Sequence, residues 1–375
     1  MRITREKNTA FADQPKPLAS GELSNQVKEK PPSKPLESAE SRHTLFVPAT
    51  GKVELVGGTK TAASQGVQIK IANFKPGEHV FPPSVPVKGF ETLGNKSPKL
   101  AQALHSDGFL PGHLALRPQP HALPKELERA PRFAALGPGI PRKRGFQATT
   151  IFPPDNRRVF RDTSYPWSTC GRVDSPLGQG SGTMVGPRHL LTVSHIIQWN
   201  SDGTAGWVRF RPAFFDGSAP FGEAWATTTY FKYKVNGPTI DFIEGMYDYV
   251  CIVLDHPIGN LTGWMGSRGY TDGWDGGNYW SHVGYPGDLT GGNRPTFQGG
   301  IALDGYWWEF DSHEAMSHQA DVWPGQSGGS FFGWWSGESF PRVVATQSSQ
   351  NSSENNASGG QDLVDLIIRA RNEHP

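Results

Sequence analysis

Pro324-Gly325-Gln326-Ser327-Gly328-Gly329-Ser330 is the stretch that decides how the rest of the chain reads. A serine set among glycines belongs on a tight turn. Glycine reaches backbone conformations closed to other residues, so such a turn can aim a hydroxyl outward and leave amides unbonded. A hydroxyl beside free N–H groups suits attack on a carbonyl, but serine is a weak nucleophile at neutral pH and needs a base. Two upstream stretches supply the remaining parts. Leu191-Thr192-Val193-Ser194-His195 puts an imidazole at the end of an apolar run. Asp248-Tyr249-Val250-Cys251-Ile252-Val253-Leu254 puts a carboxylate at the head of another. The order is His195, Asp248, Ser327, with His195 as general base, Asp248 orienting it and Ser327 as nucleophile. The N–H groups of Gly325 and Ser327 would then form an oxyanion hole.

The surrounding text is β-rich. Short strand-like runs at 167–173, 180–185, 189–193, 206–211, 224–235 and 249–254 alternate with Gly, Asn and Asp turns. A glycine-rich bridge covers 257–276. Further runs follow at 278–284, 296–302, 305–310, 330–335 and 343–346. Strands at this spacing with almost no helix predict an all-β fold. Their number suits two six-stranded antiparallel β-barrels, 145–256 and 277–375. One C-terminal helix is predicted from the helical recurrence of Leu363, Val364, Leu366 and Ile367. His195 and Asp248 fall in the first barrel and Ser327 in the second, so the site would assemble in the cleft between them.

Composition divides the chain. Lys and Arg number 36 against 35 Asp and Glu, yet residues 1–144 carry about +10 and the remainder about −9. Every Trp and Tyr lies beyond residue 160. Residues 1–144 therefore read as a basic, Pro-rich pro-segment, largely disordered, with short β-like runs at 44–47, 52–56 and 67–72. The opposite charges favour its docking on the domain that follows. Pro141-Arg142-Lys143-Arg144-Gly145 closes the segment, and a processing cut between Arg144 and Gly145 is expected. The N-terminus shows no apolar h-region, so no ordinary signal peptide is read there. The dispersed basic charge, without interleaved aromatics, does not suggest nucleic-acid binding. No apolar run is long enough for a membrane span. Cys170 and Cys251 are too few for a disulfide scaffold or a cysteine-based zinc site. Two separate buried thiols and a single disulfide both remain open readings.

Other chemistries explain the sequence less well. A hydrolase with a nucleophile elbow needs its acid and histidine after the serine, where only His374 lies. His313-Glu314-Ala315-Met316-Ser317-His318 has one residue too many for both histidines to share a helix face around zinc. A binding module using a Trp-rich surface would have no need of all three members of the triad.

These residues resemble the chymotrypsin-like (trypsin-fold) serine peptidases. Leu191 to His195 is similar to that family's L-T-A-A-H, Gly180-Ser181-Gly182-Thr183 to its G-S-G-x strand, and Gly325 to Gly329 to its G-D-S-G-G. Gly284-Tyr285-Pro286-Gly287-Asp288 and Thr150-Ile151-Phe152-Pro153-Pro154-Asp155-Asn156-Arg157 are similar to the glutamyl-endopeptidase branch. The resemblance covers about residues 148–370 and implies a monomeric endopeptidase acting on protein or peptide substrates through an acyl-enzyme. It implies no metal or cofactor. Secretion is what the family and the tribasic run suggest. Gln326 replaces an aspartate that many relatives pair with a freed N-terminus, which argues against activation by that pair. Gln347 stands where the branch places a glutamate-reading histidine, which argues against glutamate specificity. Asp321 lies where a carboxylate would select Arg or Lys; the alternative is a wall residue bonded to backbone. Ser348 and its strand would bind substrate backbone as an added strand. With His195 as the base, activity is expected to rise with pH as the imidazole loses its proton.

Overall fold

A computed structural model describes residues 14–23, 44–47, 51–55, 69–71, 85–89, 105–128, 151–237, 239–305, 314–350 and 354–375. In the leader, β1 (Thr44–Val47), β2 (Gly51–Leu55) and β3 (Ile69–Ile71) form a small antiparallel sheet, close to the three runs read from sequence. Strands β4 (Val85–Gly89) and β5 (His105–Ser106) also lie within residues 1–144, and β6 (Arg158–Val159) opens the β-rich part.

The first barrel contains β7 (Cys170–Ser175), β8 (Gly178–Gly186) and β9 (His189–Thr192), then, past a short β10 (Thr204–Ala205), β11 (Arg209–Pro212), β12 (Ala224–Phe231) and β13 (Val250–Leu254). The order β12-β11-β7-β8-β9-β13 returns to β12, which closes six strands. β13 is buried on both faces, as its unbroken apolar run requires. Val250, Ile252 and Leu254 point into the barrel with Val173, Met184, Leu190 and Phe210. Cys251 and Val253 alternate to the other face, under the C-terminal helix Gln361–Glu373. That helix buries Leu363, Leu366, Ile367 and Ala370 at a helical spacing. Although it follows the second half in sequence, it reaches back onto β13 of the first barrel, in a core that also takes in Phe332 and Val343. Leu366→Ala is expected to cost about 2–5 kcal/mol in urea unfolding, by lost burial plus the cavity left behind. A loss under about 0.5 kcal/mol would mean the helix is not part of the core.

The second half holds β14 (Gly266–Arg268), β15 (Trp280–Gly284), β16 (Thr296–Ile301), β17 (Leu303–Gly305), β18 (Glu314–His318), β19 (Ser330–Gly333), β20 (Arg342–Gln350) and β21 (Asn355–Gly359). The ladder runs β17-β18-β21-β20-β19-β15-β16-β6. It curls into a half-barrel. β16 and β17 are consecutive in sequence, split only at Ala302; the first pairs with β15 and the second with β18, so this run carries the path from one end to the other. Trp274, Trp280 and Trp335 fill its interior, with ring centroids 5.5–6.1 Å apart. Trp167 and Trp334 are buried as well, so these five tryptophans are core and not a binding surface.

Two buried histidines flank Phe331 in this half, His282 and His318, each with centroid separations of 4.7 Å. Burial pushes His282 down to about 4 and His318 to about 3. In the unfolded chain both would titrate near 6.5. The unfolded state thus holds more protons below that pH, and the sign follows: stability is full above about pH 6.5 and falls as the pH drops toward 4. The slope is at most about 1.4 kcal/mol per pH unit per histidine. Urea midpoints at pH 7.5 and 5.0 check this; a midpoint that does not fall at pH 5.0 contradicts it.

Three described stretches of the leader are built into these layers. β4 lies parallel to β12. Residues 105–128 run along the second half: β5 pairs with β14, Arg342 Nη1 donates to the Ser106 carbonyl, and Arg158 Nε meets Glu128 Oε1 at 2.6 Å. Residues 14–23 bury Leu18 and Leu23 against Trp334, with Leu18 N donating to the Trp334 carbonyl at 2.7 Å. Arg144 and Gly145, the expected cut, lie outside the described residues. Cys170 and Cys251 are free thiols, both buried, so the disulfide reading falls. Burial pushes each up to about 12, which leaves them unreactive.

Candidate active site

β9 ends at Thr192, and the chain turns at once through a single 3-10 turn, Ser194–Ile196. That turn lifts His195 off the barrel rim. Its amide donates to Asp248 Oδ1 at 2.9 Å, and its Nδ1 meets Asp248 Oδ2 at 2.6 Å. Asp248 sits just before β13, the neighbour of β9, so the ladder between them sets the pair side by side. The Asp248 side chain is fully buried and that of His195 is 15% exposed. A second donor reaches the same carboxylate oxygen: Ser348 Oγ at 2.7 Å, from β20 of the other half. A carboxylate oxygen only accepts, so Oδ2 at this distance fixes the imidazole proton on Nδ1. The Nε2 lone pair is then free to take a proton.

Ser327 is positioned through its backbone. Its carbonyl accepts from Ser181 N on β8 at 2.7 Å. Thr192 Oγ1 donates to the Ser181 carbonyl at 2.8 Å, which ties the same strand to the histidine turn. On the other side Gly328 N donates to the Gln347 carbonyl at 2.9 Å, and Gln347 N to the Gly329 carbonyl at 2.8 Å. Gly328 has φ +82°, and a Cβ there would stand 2.3 Å from the Ser181 carbonyl oxygen, so only glycine allows this approach. His195 makes its hydrogen bonds to Asp248, and none joins the imidazole to Ser327 Oγ among the described residues. Such contacts are commonly long before substrate binds and tighten in the complex.

The amides of the loop are divided in a way that matters for chemistry. Gln326 N donates to the Trp323 carbonyl and Gly329 N to the Gln326 carbonyl. The Pro324 carbonyl is taken by Gly287 N at 2.9 Å. A trans peptide points its N–H opposite its C=O. The N–H of Gly325 therefore aims away from Gly287, and that of Ser327 away from Gly329. Gly325 holds φ +103°, and Ser181 Oγ fixes its carbonyl at 2.8 Å.

The remaining residues singled out from sequence have defined partners. Both oxygens of Asp321 are engaged: Phe152 N donates to Oδ1 at 2.7 Å and Asn156 N to Oδ2 at 2.8 Å. Burial pushes its carboxyl above the usual range despite these donors. The carboxylate thus grips the lead-in segment, which is the wall-residue alternative and not an open anionic floor. Gln347 is buried, its Nε2 donating to the Ser349 carbonyl at 3.0 Å. Ser348 spends its hydroxyl on Asp248. Sequence reading gave no role to Arg157, Asp288 and the side chain of Gln326, which meet beneath the loop. Arg157 and Asp288 were present only as unassigned charges in two quoted motifs, and Gln326 only as the replacement of an aspartate. No group of three or more His, Cys, Asp or Glu side chains able to hold a metal occurs among the described residues. No helix there is long and apolar enough to cross a membrane.

Comparison with known proteins gives one curated relative, the glutamyl endopeptidase of Bacillus licheniformis, 29% identical over 194 residues. The match takes in 51% of this chain and 57% of the relative, so it spans little more than half the length of either. Among solved structures, a Glu endopeptidase in complex with MPD is 20% identical, with TM-score 0.48, covering 60% of this chain and 100% of its own. Protease Anisep from Arthrobacter nicotinovorans is 18% identical, with TM-score 0.41, covering 54% and 93%. No family model matches the chain. The chain is similar to glutamyl endopeptidase in sequence, as its motifs implied.

Proposed function

We propose that this chain is a serine endopeptidase that hydrolyses peptide bonds through an acyl-enzyme. The observation that carries the reading is the buried Asp248 carboxylate, which accepts from His195 Nδ1, His195 N and Ser348 Oγ. Nothing in a merely structural turn requires an imidazole held in that way. In the reaction, Ser327 Oγ attacks the scissile carbonyl carbon and gives its proton to His195 Nε2. The oxyanion takes hydrogen bonds from the N–H groups of Gly325 and Ser327, which contribute on the order of a few kcal/mol. His195 then protonates the leaving amine as the C–N bond breaks. Water repeats the sequence on the ester and frees the acid.

The proposal extends to a precursor cut after Arg144. The tribasic run and the change of net charge at that boundary support it. Residues 105–128, hydrogen-bonded along the domain, would stay attached after the cut. With both oxygens of Asp321 occupied and Gln347 uncharged, neither of these two residues offers a free charge to select Arg, Lys or Glu. A fluorophosphonate probe should label Ser327 in the folded chain. A peptide library should show cleavage without a strict charge requirement in the residue before the cut. Folded protein that takes no label at Ser327 would refute the enzyme reading.

A further inference from the structure

Arg157 lies in the lead-in segment, yet its guanidinium is 1% exposed, beneath the nucleophile loop. All five of its N–H groups have acceptors. Nε and Nη2 donate to the two oxygens of Asp155, at 3.0 and 2.8 Å. Nη1 and Nη2 donate to the two oxygens of Asp288, at 3.1 and 2.7 Å. The fifth donor, on Nη1, reaches Gln326 Oε1 at 2.9 Å. A guanidinium can do this because its donors form a rigid planar fork; an ammonium cannot.

What the fork holds is specific. Gln326 immediately precedes Ser327, and its Oε1 also accepts from Trp323 N at 2.9 Å. Asp288 belongs to the turn whose Gly287 N holds the Pro324 carbonyl. Arg157 therefore joins the two chain segments that together fix the peptide between Pro324 and Gly325, whose N–H is one arm of the oxyanion hole. Asp321 grips the same lead-in segment through the amides of Phe152 and Asn156. The nucleophile loop is clamped to residues 152–157 at both ends.

The charges also account for the amide at position 326. One guanidinium already faces two carboxylates, and a third in contact would be uncompensated in a buried place. A neutral acceptor is what the site can hold.

We propose that Arg157, acting through Gln326 and Asp288, is the positioning residue that sets the oxyanion-hole loop, and that no freed N-terminus is needed for this. The proposal rests on the peptidase reading for its catalytic consequence. Its structural half stands alone: the loop is ordered by an internal cation seated at residue 157, beyond any cut at Arg144.

The test compares the full chain with Arg157→Met and Arg157→Lys, using a peptide substrate, a fluorophosphonate and amide hydrogen exchange. In Arg157→Met, kcat should fall on the order of 10- to 100-fold, because a misplaced oxyanion donor costs up to about a thousandfold. KM should stay within about threefold, since the loss is confined to the transition state. Ethylguanidine in the assay should restore part of kcat, and Arg157→Lys should remain impaired. Peptides covering 321–329 should exchange faster in Arg157→Met, while those covering 249–254 are unchanged. Unaltered exchange at 321–329 with unaltered kcat overturns the proposal. So does a loss of activity that only matches the loss of folded protein, with normal turnover per titrated site. Wild-type protein that takes no fluorophosphonate, together with faster exchange at 321–329 in the variant, would sink the peptidase reading and leave the clamp standing.

Discussion

Ser327→Ala is expected to lower kcat by about four to six orders of magnitude, leaving only what the oxyanion hole and binding supply. Fluorophosphonate labelling should vanish with it. The fold should hardly notice. The loop is anchored through the Ser327 carbonyl, which accepts from Ser181 N, and through the neighbouring amides. None of these bonds uses the hydroxyl. Unfolding free energy should therefore stay within about 0.5 kcal/mol of wild type, as for a substitution that removes no packed group. Active-site kinetics on a fluorogenic peptide, beside a urea melt, check both halves. Turnover above about one per cent of wild type would remove Ser327 from the chemistry.

Asp248→Asn should cost about 10⁴ in kcat near neutral pH. The reason is the count of donors around the carboxylate. Oδ1 faces the His195 amide, and Oδ2 faces both His195 Nδ1 and Ser348 Oγ. An asparagine must put its NH2 on one side. Facing Nδ1, it donates there and drives the ring proton to Nε2, which can then accept nothing from Ser327. Facing the His195 amide, it sets donor against donor in a fully buried place. That clash disfavours the second orientation, so the first prevails and the base is lost while its position is largely kept. KM should therefore change little. A kcat within tenfold of wild type would show that the imidazole does not depend on this tautomer.

The three members of the site could be picked out from residue types alone because each stands in a short local context. Glycines surround the serine, and a strand ends in the histidine. Another strand begins with the aspartate. The β class was equally legible, since period-two burial and turn residues are local signals. Strand β13 and the C-terminal helix show the limit of this. Their apolar patterns say which residues are buried but not against what, and the helix turned out to reach back onto β13 of the first barrel while sharing a core with Phe332 and Val343 of the half it follows. Closure of the first barrel and the curl of the second depend on pairings between distant strands, which no local pattern reports.

Sequence by itself determined the chemistry on offer: a hydroxyl, an imidazole and a carboxylate, each on a turn or strand end within a β-rich, Trp-rich half. Tertiary structure alone decided what those groups face. It brought Ser348 to Asp248, spent Asp321 on backbone amides, left Cys170 and Cys251 apart as thiols, and seated Arg157 under Gln326. The physical reason is range. Backbone propensity and burial pattern act over a few residues, whereas hydrogen-bond partners across 100 or 169 positions exist only once the chain has closed on itself.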